Sequence, residues 1–82
     1  MIKVVLMDNQ ELVRTGIKCL LNQCENIEVI ADYECNQATF DKTPSDIPDI
    51  ILIDPLTTDS GIELFKAVKA HFPKTKIIAL LI

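Results

Sequence analysis

Pro48-Asp49-Ile50-Ile51-Leu52-Ile53-Asp54 sets four consecutive aliphatic side chains between two aspartates. A run this short, rich in β-branched residues and closed on both sides by polar ones, reads as a strand buried on both faces, the pattern of a parallel sheet. Three more runs share that character: Ile2 to Met7, Ile27 to Ala31 and Ile77 to Ile82. Helical periodicity lies between them. Leu12, Val13, Ile17, Leu20, Leu21 and Cys24 fall on one face of a helix that starts near Asn9 or Gln10. Ser60 and Glu63 form a capping box, and Leu64, Phe65, Val68 and Phe72 then make an apolar stripe that Pro73 stops, which predicts a second helix over 60–72. Cys35 to Lys42 is a weak helical segment, because Thr39, Asp41 and Thr43 are poor helix formers and Pro44 and Pro48 follow closely. Strand and helix therefore alternate, which implies an α/β fold of three layers: a parallel sheet with helices on both faces, joined by right-handed crossovers.

The composition suits one small domain spanning residues 1–82. Of the 82 residues 49% are hydrophobic and 24% charged, and two Gly with four Pro exclude collagen-like or low-complexity disorder. At this size a total stability of about 4 to 12 kcal/mol is expected. Eight Lys plus Arg against twelve Asp plus Glu leave a net charge of −4, which opposes the counterion release that drives nucleic-acid binding. No apolar run approaches the roughly 20 residues of a membrane helix, and the first residues lack a signal-peptide pattern, so a soluble, cytoplasmic protein without membrane association is expected. Cys19, Cys24 and Cys35 are odd in number and fit no zinc-binding spacing. Their apolar neighbours make them reduced, structural thiols.

Ligand crevices in open parallel sheets lie outside the carboxyl ends of the strands, at a topological switch point. The first strand ends in Asp8-Asn9 and the third in Asp54. If those strands are neighbours, two carboxylates meet at one rim and repel each other unless a cation sits between them. Mg²⁺ suits such a place, since it takes oxygen ligands, keeps several waters and commonly uses one or two carboxylates with a phosphoryl oxygen. Two exposed carboxylates without a task fit the spacing equally well.

These residues resemble a known family, the receiver domain of bacterial two-component response regulators, especially those with a C-terminal helix-turn-helix output. The resemblance runs the length of the chain. It rests on Ile2-Lys3-Val4-Val5-Leu6-Met7-Asp8-Asn9-Gln10-Glu11-Leu12-Val13-Arg14-Thr15-Gly16, on Pro48 to Asp54, on Gly61-Ile62-Glu63-Leu64, and on Phe72-Pro73-Lys74-Thr75-Lys76-Ile77-Ile78-Ala79-Leu80. It implies a flavodoxin-like parallel sheet of order 2-1-3-4, and phosphorelay signalling that regulates transcription. Asp54 becomes the candidate phosphoryl acceptor, served by a sensor histidine kinase. Asp8, Asn9, Asp54 and the backbone carbonyl of Leu56 take the metal-binding positions, with Mg²⁺ as the cofactor. Beyond accepting a phosphoryl group the chain is not expected to be an enzyme.

The sequence departs from that pattern at four places. Asn9 supplies a neutral oxygen where the family has a second carboxylate, which should weaken metal binding. The segment Pro55-Leu56-Thr57-Thr58-Asp59-Ser60 is one residue short, and Pro55 fixes φ directly after Asp54. Leu81 stands where a Ser or Thr normally hydrogen-bonds the phosphoryl group. A full receiver also continues past the fourth strand into a further helix, a lysine-bearing fifth strand and a last helix, so the domain is expected to be truncated. The fourth strand, with Ile77, Ile78, Leu80, Leu81 and Ile82, is then too apolar for a solvated edge, and a homodimer or another partner is expected to cover it. DNA contact would come only through a C-terminal domain outside this chain. The alternative function is a degenerate receiver that acts by protein association or dimerisation without phosphorylation.

Other residues carry less. A nucleotide-binding reading needs a Gly- or Ser/Thr-rich first loop, whereas Asp8-Asn9-Gln10-Glu11 would repel phosphate. His71 near a helix C-terminus, and Lys66 with Lys69, read as solvent-facing. Arg14 and Lys18, four residues apart, could touch a kinase, but a solvated helix face fits them better.

Overall fold

The computed structural model describes residues 1–34, 47–54 and 61–80. In chain order they form β1 (Ile2–Met7), α1 (Glu11–Asn22), β2 (Ile27–Tyr33), β3 (Ile50–Ile53), α2 (Gly61–His71) and β4 (Lys76–Ala79). All strand pairs are parallel, and the sheet order is β2-β1-β3-β4. The path from β1 to β2 runs one way across the sheet and that from β3 to β4 runs the other. Right-handed crossovers of opposite direction put α1 and α2 on opposite faces. The order reverses between β1 and β3, so the switch point lies at their carboxyl ends.

Alternation along β1 divides the core in two. Val5 and Met7 join Ile51, Ile53 and Val68 of α2 in one buried cluster, edged by Ala31, Tyr33, Phe72 and Ile77. Val4 and Leu6 are buried as well, on the α1 side, where Ile50 and Leu52 of β3 are only half-buried and Ile78 of β4 is 39% exposed. This sheet face is well covered over β1 and poorly covered toward β4.

Several boundaries and faces differ from expectation. β2 continues two residues past Ala31, through Asp32 to Tyr33. Its pairing with β1 slips by one residue, Val4 facing Val29 and Val5 facing Ala31, which leaves Ile30 as a bulge. β4 begins at Lys76 and ends at Ala79, and the last two residues of the predicted strand, Leu81 and Ile82, lie outside the described residues. On α1 only Val13, Ile17 and Leu21, with Arg14, are half-buried. Leu12 is 85% and Leu20 65% exposed, and Cys24 falls beyond the helix end. Cys19 and Cys24 are both exposed, so a structural packing role is corrected for them. Cys35, the weak helix over 35–42 and Ser60 of the capping box lie outside the described residues.

At the pole opposite the switch point, Thr75 is buried and its hydroxyl donates to the Pro48 carbonyl at 2.8 Å, tying the entry of β4 to the entry of β3. Lys69, exposed on α2, reaches the Thr75 carbonyl at 3.3 Å, so it anchors this turn as well as meeting solvent. Replacing Thr75 by Val keeps the shape and removes the donor. A loss of about 1 to 3 kcal/mol in urea unfolding is the expected outcome, the penalty for a buried acceptor left unpaired.

Candidate functional site

β1 hands directly into Asp8 and β3 into Asp54. The last ladder pair of these strands is Met7 with Ile53. The Asp54 N–H donates to the Met7 carbonyl at 3.0 Å and the Asp8 N–H to the Tyr33 carbonyl at 3.0 Å, so each aspartate continues the ladder by one step. The two residues therefore stand side by side at the switch point, and both are 4% exposed. The reading of two exposed carboxylates without a task does not describe this pair, because burying two neighbouring acids is unfavourable unless something compensates them.

Asp8 is held at three of its atoms. Besides its N–H, its Oδ1 accepts the Gln10 N–H at 2.7 Å, an Asx turn that ends the strand and starts the helix. Gln10 is the helix N-cap without a side-chain capping bond of its own, and its carbonyl accepts the Arg14 N–H at 3.0 Å. The Asp8 carbonyl accepts Arg14 Nη1 at 2.8 Å. Its remaining oxygen, Oδ2, is buried and has no hydrogen-bond partner among the described residues. An orphaned buried carboxylate oxygen is rare in folded proteins and calls for a ligand or an ion.

Asn9 follows at the exposed rim of the same turn. Leu56 and Leu81, the other two positions singled out in the sequence, lie outside the described residues. No cluster of three or more His, Cys, Asp or Glu side chains placed to hold a metal ion occurs among the described residues. The carboxylates here are two, in keeping with an amide at position 9. Two neighbouring buried carboxylates, one with an oxygen unpartnered among the described residues, supply hard oxygens of the kind Mg²⁺ takes with retained waters, and Asn9 is the next residue along the turn.

Arg14 does not lie on a solvated helix face, contrary to the pattern of the sequence. Its side chain is only 15% exposed, and besides the Asp8 carbonyl it bonds Asp32 Oδ2 through Nε at 2.9 Å. Lys18 Nζ lies 3.2 Å from the other Asp32 oxygen and is 46% exposed, closer to the solvated reading. The signal available was Asp32 itself, a carboxylate inside an apolar strand that needs a cation nearby. His71 is exposed and stacks edge-on against Phe72 at 4.8 Å, and Lys66 is exposed, as expected.

No protein-family model matches the chain. Among curated proteins it is 35% identical over 81 residues to the transcriptional regulatory protein LnrK of Bacillus subtilis, covering 98% of this chain and 37% of that protein. It is likewise 35% identical over 80 residues to the response regulator protein VraR of Staphylococcus epidermidis, covering 96% of this chain and 38% of VraR. The chain thus spans less than two-fifths of the length of these relatives. Among solved structures, the non-phosphorylated receiver domain of the stress response regulator RcsB from Escherichia coli superposes with a TM-score of 0.83 at 29% identity, over 98% of this chain and 64% of that one. No helix among the described residues is long and apolar enough to cross a membrane.

Proposed function

The chain is a receiver-type sequence, homologous to the receiver portion of response regulators, and from that premise we propose that Asp54 is its phosphoryl acceptor. The observation that carries this reading is the buried pair Asp8 and Asp54 at the switch point, with one Asp8 oxygen left unpartnered. In the proposed reaction an Asp54 carboxylate oxygen attacks the phosphorus of a kinase phosphohistidine. The new O–P bond forms as the P–N bond breaks, and the imidazole leaves with the electron pair and takes up a proton. The product is an acyl phosphate on Asp54. The chain acts as an acceptor consumed once per event, not as a turnover enzyme.

Asp8, Asp54 and Asn9 would hold Mg²⁺, with the Leu56 carbonyl a further ligand by sequence position. Bound there, the ion would offset the negative charge of the phosphoryl oxygens. The protein's own part is to keep the acceptor at the end of a rigid strand, its N–H fixed to Met7, and to hold Asp8 beside it. We place DNA contact outside these residues, in keeping with the net charge of −4, and take the apolar edge of β4 as the surface a homodimer or another partner would cover.

A second reading, association without phosphorylation, is favoured by Asn9, which leaves two carboxylates in place of three. One experiment separates the two. The chain is incubated with acetyl phosphate and Mg²⁺ and weighed intact. A single phosphoryl adduct, lost on alkaline hydrolysis and absent in Asp54→Ala, is the expected result. No adduct under conditions that label an ordinary receiver would overturn the acceptor role and leave the associative reading.

A further inference from the structure

We propose that Arg14 is the positioning residue of this site: anchored by Asp32, it fixes Asp8 so that Oδ2 is presented to a cation. The inference rests on the reading of the switch point as a divalent-metal site. Arg14 joins the two strands beside it through one planar group. Its Nε is bound to Asp32 Oδ2 at 2.9 Å and its Nη1 to the Asp8 carbonyl at 2.8 Å. A guanidinium can serve both acceptors at once because its donors are rigidly disposed, which an ammonium cannot reproduce.

The β2 bulge makes this contact possible. With Ile30 inserted, Asp32 pairs with Leu6 and so shares the α1 face of the sheet. Without the bulge Ala31 would pair with Leu6, and Asp32 would turn to the α2 face, out of reach of α1. Arg14 also belongs to the first turn of the helix that Asp8 starts, through the Gln10 N–H on Asp8 Oδ1. The ring Asp8, Gln10, Arg14 is closed by hydrogen bonds and tethered to β2. Loosening the Asp8 carbonyl would let its carboxylate swing away.

The sign of the effect separates positioning from simple charge. Removing a cation near an acidic site strengthens its attraction for Mg²⁺. Removing a positioning group weakens it, as loss of an outer-shell partner typically lowers metal affinity by about 10- to 100-fold. The test is Mg²⁺ titration by calorimetry on the full chain and on Arg14→Met, Arg14→Lys, Asp32→Asn and Lys18→Met, each checked for folding by circular dichroism. Arg14→Met is expected to bind at least about 10-fold more weakly. Arg14→Lys and Asp32→Asn should fall between it and the parent, while Lys18→Met, whose pair is exposed, should leave affinity within about twofold.

Parental or tighter binding by a folded Arg14→Met overturns the proposal. If that variant does not fold, parental affinity in both Arg14→Lys and Asp32→Asn does so instead. Hydrogen exchange at the Gln10 amide provides a reading without metal. It should speed up in Arg14→Met, or in Asp32→Asn if the former does not fold, and unchanged exchange there contradicts the positioning role. A parent chain that binds no Mg²⁺ defeats the metal-site reading alone, and the Gln10 amide then decides the positioning claim.

Discussion

Ile53→Ala is expected to remove 2 to 5 kcal/mol from the stability of this chain, the range for deleting a buried large aliphatic side chain. Ile53 is 0% exposed and packs with Val5, Met7, Ile51 and Val68, so both central strands and α2 meet at it. Against a total of about 4 to 12 kcal/mol for a domain of this size, that loss is a large fraction. At about 4 to 8 °C per kcal/mol, the melting temperature should fall by roughly 8 °C or more. Ile78→Ala is the control, because Ile78 sits on the edge strand at 39% exposure and has less apolar contact to lose. Urea titration of both variants checks the contrast. A loss below about 1 kcal/mol for Ile53→Ala would show that the cluster collapses readily around the cavity. The consequence for the site is direct, since Ile53 is the residue from which Asp54 projects at the end of β3.

The strands that build the site were legible because their ends are marked chemically. β1 and β3 are apolar runs closed by Asp8 and Asp54, and the structure ends them at Met7 and Ile53. By the same logic β2 reads as ending at Ala31, because Asp32 looks like a terminator, whereas the strand carries it onward to Tyr33 and uses it to bind α1. Periodicity failed on α1 in an instructive way. It identifies which side chains share a helix face, not whether anything lies against that face, and Leu12 and Leu20 prove exposed. Arg14 was illegible for a related reason. Its partner across the fold stands 18 residues away, in register only because of a bulge that no local pattern announces. Asp8 and Asp54 could be named from strand order and resemblance, but their burial and the orphaned Oδ2 come from packing alone.

Asp8→Asn should reverse the order of stabilities according to whether Mg²⁺ is present. Asparagine keeps the Oδ1 acceptor for the Gln10 N–H at 2.7 Å, so the Asx turn that starts α1 survives. At the other oxygen it replaces a buried carboxylate oxygen, unpartnered among the described residues, with an amide N–H, beside the other buried acid, Asp54. Removing one of two neighbouring buried charges relieves repulsion and desolvation together. In EDTA the variant is therefore expected to be more stable than the parent by about 1 kcal/mol, read as a melting temperature roughly 4 to 8 °C higher. Mg²⁺ inverts this. A ligand at 100 times its dissociation constant stabilises the folded state by about 2.7 kcal/mol, and the parent alone should gain it. The parent then melts above the variant at high Mg²⁺, and the two melting curves cross as the ion is titrated. A variant less stable than the parent in EDTA would mean that the Asp8 carboxylate is held for architecture. An undiminished response to Mg²⁺ would mean that the ion binds elsewhere. A crossing would instead establish that this carboxylate is retained at a standing cost to the metal-free fold, which is how a binding site differs from a structural acid.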